Sequence, residues 1–186
     1  MLLLWGVVAG VVIGLLRGGN VANLEKMGIR YLWLVPLALV IQLLIFPLFS
    51  ETAVVGFGTE IFHILSYLIL FLFVIANWRV WQIPLMGLGM MSNLLVIVLN
   101  GGYMPSSISS LNRAGEVEVA SNLLENGTYG NVMMMSDSTV LDFLGDWLYL
   151  PQWFPLSTAF SLGDTFIVIG LVFFFGLGMV NETAKD

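Results

Sequence analysis

Two stretches of this chain share the wording Leu-Gly-Asp: Phe143-Leu-Gly-Asp146 and Ser161-Leu-Gly-Asp164. A pair of carboxylates suits acid–base chemistry, because one group can hold a proton while the other accepts one. Here no nucleophile–base pair accompanies them, and the sequence does not fix their separation. Asp164 also has a local explanation. Ser161 stands three residues before it, in the form of a capping box with Asp in place of the usual Glu, and a carboxylate there faces the positive end of a helix dipole. Asp146 has no such explanation, since Trp147 to Pro151 does not read as a long helix. His63 is the only histidine. It has the chemistry of an axial ligand or a proton-handling group, but a lone histidine at a helix end more often hydrogen-bonds locally. The chain has no cysteine, which excludes disulfides, thiolate nucleophiles and zinc–sulfur sites. A metal site of carboxylates alone needs convergent Asp or Glu, and spacing shows none. No cofactor and no metal are therefore expected.

A second set of polar residues is uncharged: Gln42, Ser66, Ser92 and Asn93. Each lies in an apolar run, about 3–5 Å to the same side of its midpoint at the helical rise. A shared depth lets them meet. The simpler reading is interhelical hydrogen bonding, worth about 0.6 kcal/mol per contact in membranes. The alternative is a polar notch for the head of an amphipathic small molecule, a lipid or a quinone.

The elements that must position these groups follow from composition. Of 186 residues, 59% are hydrophobic and 10% are charged, and the mean hydropathy is +0.96. One soluble core cannot hide that excess, so the class is an integral membrane protein. The net charge of -6 argues against a nucleic-acid partner. A bilayer core needs roughly 17–25 apolar residues per helix. Five stretches serve: about 1–16, 31–49, 61–78, 80–99 and 160–180. The first has no charge before it, Arg17 after it and no convincing cleavage site, which favours a retained helix over a signal peptide. Alternation then puts Arg17, Lys26, Arg30, Arg79 and Lys185 on one side and Arg113 alone on the other. By the positive-inside rule the N-terminus is outside and the C-terminus inside. The loop 50–60, with Glu51 and Glu60, is outside.

The segment 20–30 spaces Val21, Leu24 and Met27 three apart behind Asn20, a fitting N-cap, and reads as an amphipathic element at the inner interface. The outer segment 101–157 is too long to be a bare loop. In it, 115–125 reads as a short helix ended by Asn126-Gly127, and a second short helix is expected from Ser138 towards Leu144. Trp147, Tyr149 and Trp153 suit an interfacial aromatic belt. Arg113 is the only cation in this segment, a poor supply for a phosphate clamp. Asn126-Gly-Thr128 matches a glycosylation sequon, relevant only in a eukaryotic secretory pathway. Gly6, Gly10, Gly14 and Gly18 form a smooth stripe for close helix approach, read as packing within the chain ahead of contact with other membrane subunits.

The order of the short motifs resembles a bacterial membrane family known as domain of unknown function 5317. The residues that carry the resemblance are Leu16-Arg-Gly-Gly19 with Asn23-Leu24, Asn100-Gly101 with Met104-Pro105, Phe143-Leu-Gly-Asp146 with Leu150-Pro151, and Ser161-Leu-Gly-Asp164 before the last apolar helix. The insert between Pro105 and Asp142 carries no recognised motif. The resemblance implies a polytopic protein of the bacterial inner membrane. It supplies no activity, but it singles out Arg17, Asn100, Pro105, Asp146 and Asp164. The expected fold is an all-α bundle of five transmembrane helices under an extracytoplasmic cap of short helices and loops. The leading functional expectation is a non-catalytic accessory or scaffold subunit. The alternatives are a binder or carrier of a lipid or quinone through Gln42, Ser66 and Asn93, and an outer-face enzyme using Asp146 and Asp164.

Overall fold

The computed structural model describes residues 2–45 and 57–180. The end of the second expected span (46–49), most of the loop 50–60 with Glu51, and the tail 181–186 with Lys185 lie outside the described residues.

Five apolar helices form the bundle: α1 (Leu2–Leu16), α2 (Leu34–Ile45), α3 (Thr59–Ala76), α4 (Gln82–Leu99) and α7 (Leu162–Gly178). Two of them, α3 and α4, are long and apolar enough to cross a membrane, and α1 makes a third if it is counted with the 3₁₀ turn that follows it. The helices α2 and α7 are apolar but shorter. The expected fifth span loses its first residues because Ala159–Phe160 is a strand and Ser161 caps the helix.

The packing order runs α1, α7, α4, α3, α2. The glycine stripe explains the first contact. Gly6, Gly10 and Gly14 are buried, and a Cβ at each would meet Val168, Phe175 and Met179 of the α7 side. Gly18 is not part of that contact. It sits at φ 76° with nothing near it, in the left-handed turn that ends α1. Between α4 and α7 the backbones come closer still, since a Cβ on Gly89 would strike the Gly163 carbonyl oxygen.

The segment after α1 is a 3₁₀ helix, Val21–Met27, bent 103° from α1. Asn20 caps it, accepting from the Ala22 N–H at 2.9 Å. Three residues per turn aligns Val21, Leu24 and Met27, and Leu24 and Met27 close over Gly178 at the end of α7.

The cap departs from the expected helices and loops. It contains β1 (Met104–Ser106), α5 (Ile108–Ala114), α6 (Val117–Asn126), β2 (Thr128–Tyr129), β3 (Val132–Met134), β4 (Leu148–Tyr149) and, just before α7, β5 (Ala159–Phe160). β3 pairs in parallel with β1 and antiparallel with β2, and β4 pairs antiparallel with β5. The helix expected from Ser138 is only a 3₁₀ turn, Asp142–Leu144. Leu111, Ala120 and Leu123 form the cap's own core. Val96, Ile97 and Met104, with Tyr67, Leu141 and Leu144, seal the cap to α3 and α4.

The contacts fix which end of the bundle is which. Trp5, near the start of α1, donates its indole N–H to the Pro155 carbonyl at 2.9 Å and stacks on Phe154 with ring centroids 5.0 Å apart. The start of the chain therefore lies at the cap end. At the opposite end Asn77 ties the turn after α3 to Arg30, accepting the Arg30 N–H at 2.7 Å and donating to the Arg30 carbonyl at 2.9 Å.

Candidate functional site

The start of α7 is the seed of a buried polar cluster. Ser161 Oγ accepts the Asp164 N–H at 2.9 Å, and Asp164 Oδ2 accepts the Ser161 N–H at 3.0 Å. This is the capping box read from the sequence. Asn93 of α4 completes it from the side. Its Nδ2 donates to Asp164 Oδ1 at 2.9 Å, and its Oδ1 accepts the Ser161 hydroxyl at 2.8 Å. Ser161 is 0% exposed and Asn93 3%. Gly163 makes the approach possible, because a Cβ there would overlap the Asn93 carboxamide. Tyr67, on α3, adds its phenol to the Asn93 side chain, and both Asp146 and Asp164 are close enough to act on it electrostatically.

Asp146 arrives from the cap through non-local backbone bonds. Its N–H donates to the Pro105 carbonyl at 2.8 Å, and its carbonyl accepts the Ser107 N–H at 3.0 Å. Ser106 donates its hydroxyl to Asp146 Oδ2 at 3.1 Å. The other oxygen, Oδ1, is buried with no hydrogen-bond partner among the described residues, as is Asp142 Oδ1. Burial first, and then the neighbouring Asp164 charge, push the Asp146 carboxyl up to about 8, against the pull of the Ser106 bond. A carboxyl so placed is held in its protonated form at neutral pH. Gly145 is required beside it, since a Cβ there would press on the Pro105 carbonyl.

The other expected residues separate into neighbouring or distant groups. Gln42 Nε2 donates to Ser66 Oγ at 3.0 Å, and Ser66 donates to the His63 carbonyl at 2.7 Å. Gln42 and Ser66 thus meet as their depth suggested, joining α2 to α3, while Asn93 turns to α7. Ser92 makes no side-chain hydrogen bond among the described residues. His63 is buried, lies 3.1 Å through Nδ1 from the Gly102 carbonyl, and packs on Tyr67 with ring centroids 5.5 Å apart. Asn100, at the end of α4, clamps the cap loop at Val140 through both of its backbone groups, donating to its carbonyl at 2.8 Å and accepting its N–H at 2.9 Å. Arg113 lies over the Tyr149 ring, 5.5 Å from its centroid. Arg17 is at the far end of the bundle and takes no part.

Sequence reasoning missed Tyr67, Ser106 and Glu116. Glu116 holds β5 in place, accepting the Thr158 hydroxyl at 3.1 Å and the Ala159 N–H at 2.9 Å. Their partners are far away in sequence, and no local pattern announces them. Chemically the cluster can store a proton on Asp146 beside Asp164. Among the described residues no trio of His, Asp or Glu converges on a metal position.

Compared with known proteins, residues 26–176 match the model of a family described as "Family of unknown function (DUF5317)". No curated protein and no solved structure matches the chain.

Proposed function

We propose that this chain, which belongs to the DUF5317 family of unknown function, is a five-span protein of the bacterial inner membrane that serves as a non-catalytic accessory or scaffold subunit. One observation carries the reading: the Asn93 carboxamide is engaged on both its nitrogen and its oxygen by Asp164 and Ser161. The polar group best placed to take a ligand or substrate instead fastens α4 to α7. Gln42 and Ser66 are engaged in the same way between α2 and α3, which gives the lipid- or quinone-carrier reading less support at these residues. The outward faces of α3 and α4 are apolar, with Leu65, Leu72, Leu88 and Leu95 between 41% and 59% exposed. Such surfaces suit lipid and neighbouring helices. With Gly6, Gly10 and Gly14 occupied by α7, those faces are left to meet other subunits. The orientation, N-terminus out and C-terminus in, is supported by Arg17, Lys26, Arg30 and Arg79 gathering away from the cap. The bacterial inner-membrane location is supported by the family resemblance. A native mass spectrum after extraction in mild detergent tests the subunit role. A stoichiometric protein partner is expected, and a stable lone monomer contradicts it.

A second reading is favoured by Asp146 alone. A protonated carboxyl with one oxygen unpartnered, beside Asp164, fits an outer-face acid. If Asp146→Asn and Asp164→Asn both leave the phenotype of a deletion strain fully complemented, that reading fails.

A further inference from the structure

We infer that the end of the bundle opposite the cap holds a binding site for a phosphate group. A cavity of about 430 Å³ lies there, lined by Arg17 from the end of α1, Arg79 from the α3–α4 turn, and Trp81 and Gln82 at the start of α4. Such a volume is within the usual range of small-molecule sites, about 300–1,000 Å³. Among the described residues its lining includes two guanidinium groups and no carboxylate, a composition that favours an anion. Neither arginine has a carboxylate partner among the described residues. Arg79 only rests on the Trp78 ring, 5.5 Å from its centroid.

Gln82 points independently to a ligand. It is 5% exposed, it lines the cavity, and its carboxamide makes no hydrogen bond among the described residues. Its carboxamide is reachable from the cavity, so Nε2 can donate to a phosphate oxygen that enters it. The start of α4 adds to this. Its N-cap, Trp81, supplies no side-chain cap; the Ile83 N–H already donates to the Val80 carbonyl at 2.8 Å and Pro84 has no N–H, so the backbone donor left for an anion there is the Gln82 N–H. The tilted stack of Trp81 on Phe173, centroids 5.4 Å apart, fixes that wall. Arginine forks match phosphate in two-point geometry. The same chemistry serves the headgroup of an anionic phospholipid or a free phosphate, and the site does not depend on the scaffold reading.

The test compares the full-length protein with Arg17→Gln/Arg79→Gln and with Gln82→Leu, which keeps both charges. Arg113→Gln, at the cap end, is the control. One arm measures retention of added phosphatidylglycerol over phosphatidylcholine by native mass spectrometry after delipidation. The other measures binding of inorganic phosphate by ³¹P NMR. Weakening by about tenfold or more in the double variant, the loss of charge-assisted hydrogen bonds, with a smaller loss in Gln82→Leu and none in Arg113→Gln, is expected in one arm. Loss in the first arm identifies a lipid headgroup, and loss in the second a soluble phosphate. Binding in neither arm, or equal binding by the wild type and the double variant, overturns the site.

Discussion

Asn93 and Asp164 stand 71 residues apart in sequence and are joined by a 2.9 Å hydrogen bond. The bond fixes α4 against the first turn of α7 beneath the cap. Asn93→Leu removes that donor and also the acceptor of the Ser161 hydroxyl. Leaving buried polar partners unmatched costs about 1–3 kcal/mol. Thermal unfolding in detergent is expected to show a lower Tm for this variant, with Ser92→Leu close to wild type. An unchanged Tm for Asn93→Leu would show that the bond does not hold the helices.

Glycine spacing should matter in graded fashion. A Cβ at Gly89 meets the backbone oxygen of Gly163, one at Gly10 meets Phe175 Cβ at 2.9 Å, and one at Gly6 meets Val168 at 3.3 Å. Backbone cannot rotate away as a side chain can. Gly89→Ala is therefore expected to be the most destabilising, on the order of 1–3 kcal/mol for overpacking, followed by Gly10→Ala and then Gly6→Ala. Yield and Tm of the three variants measure the order, and Gly6→Ala as the worst would contradict the packing described.

Asp146 gives the protein a pH dependence with a definite sign. Its carboxyl rises from an ordinary 3.8 to about 8 in the folded chain. Between those values the folded state keeps a proton that the unfolded state has lost. The contribution is complete below 3.8 and disappears as the pH climbs through about 8. Tm is expected to fall across that window and to fall less in Asp146→Asn. Asp164→Asn removes a neighbouring negative charge, so it should lower the upper edge of the window and leave the lower edge in place. A wild-type profile that rises with pH, or one unaffected by Asp146→Asn, would contradict the assignment.

Asn100 holds the segment at Val140 by paired bonds at 2.8 and 2.9 Å. Asn100→Ala should release that segment while leaving the apolar seal beneath it. Hydrogen exchange is expected to rise around Thr139 to Leu141 and to stay unchanged in α6. Equal exchange in both proteins would assign the hold on Val140 to packing instead.

What was legible in the sequence was what is local or periodic. The capping box of Ser161 and Asp164 needs only a three-residue spacing, and Asn20 caps the next turn in the same way. The apolar runs gave the bundle helices, though α2 starts at Leu34 and α7 at Leu162, a few residues inside the runs that announced them. The glycine stripe gave a packing face but not its partner, α7. The small sheets were not legible, because strands of two or three residues such as Met104–Ser106 show no alternation and one contains a proline. Asp146 stayed unexplained because Pro105, Ser106 and Ser107 lie about forty residues upstream, closed by backbone bonds that no spacing encodes. The cavity at the basic end was not legible for the same reason. Arg17 and Arg79 share one cavity only after α1 and α4 have both packed against α7.

Cysteine accessibility tests the membrane account most directly, and the native chain has no cysteine to interfere. Glu125 is exposed on the cap and Lys26 is exposed at the opposite end. In intact cells a membrane-impermeant maleimide should label Glu125→Cys at once and Lys26→Cys only after permeabilisation. Labelling of Lys26→Cys but not Glu125→Cys in intact cells would invert the orientation. Equal labelling of both in intact cells would contradict a bundle that separates the cap from the basic end across a membrane.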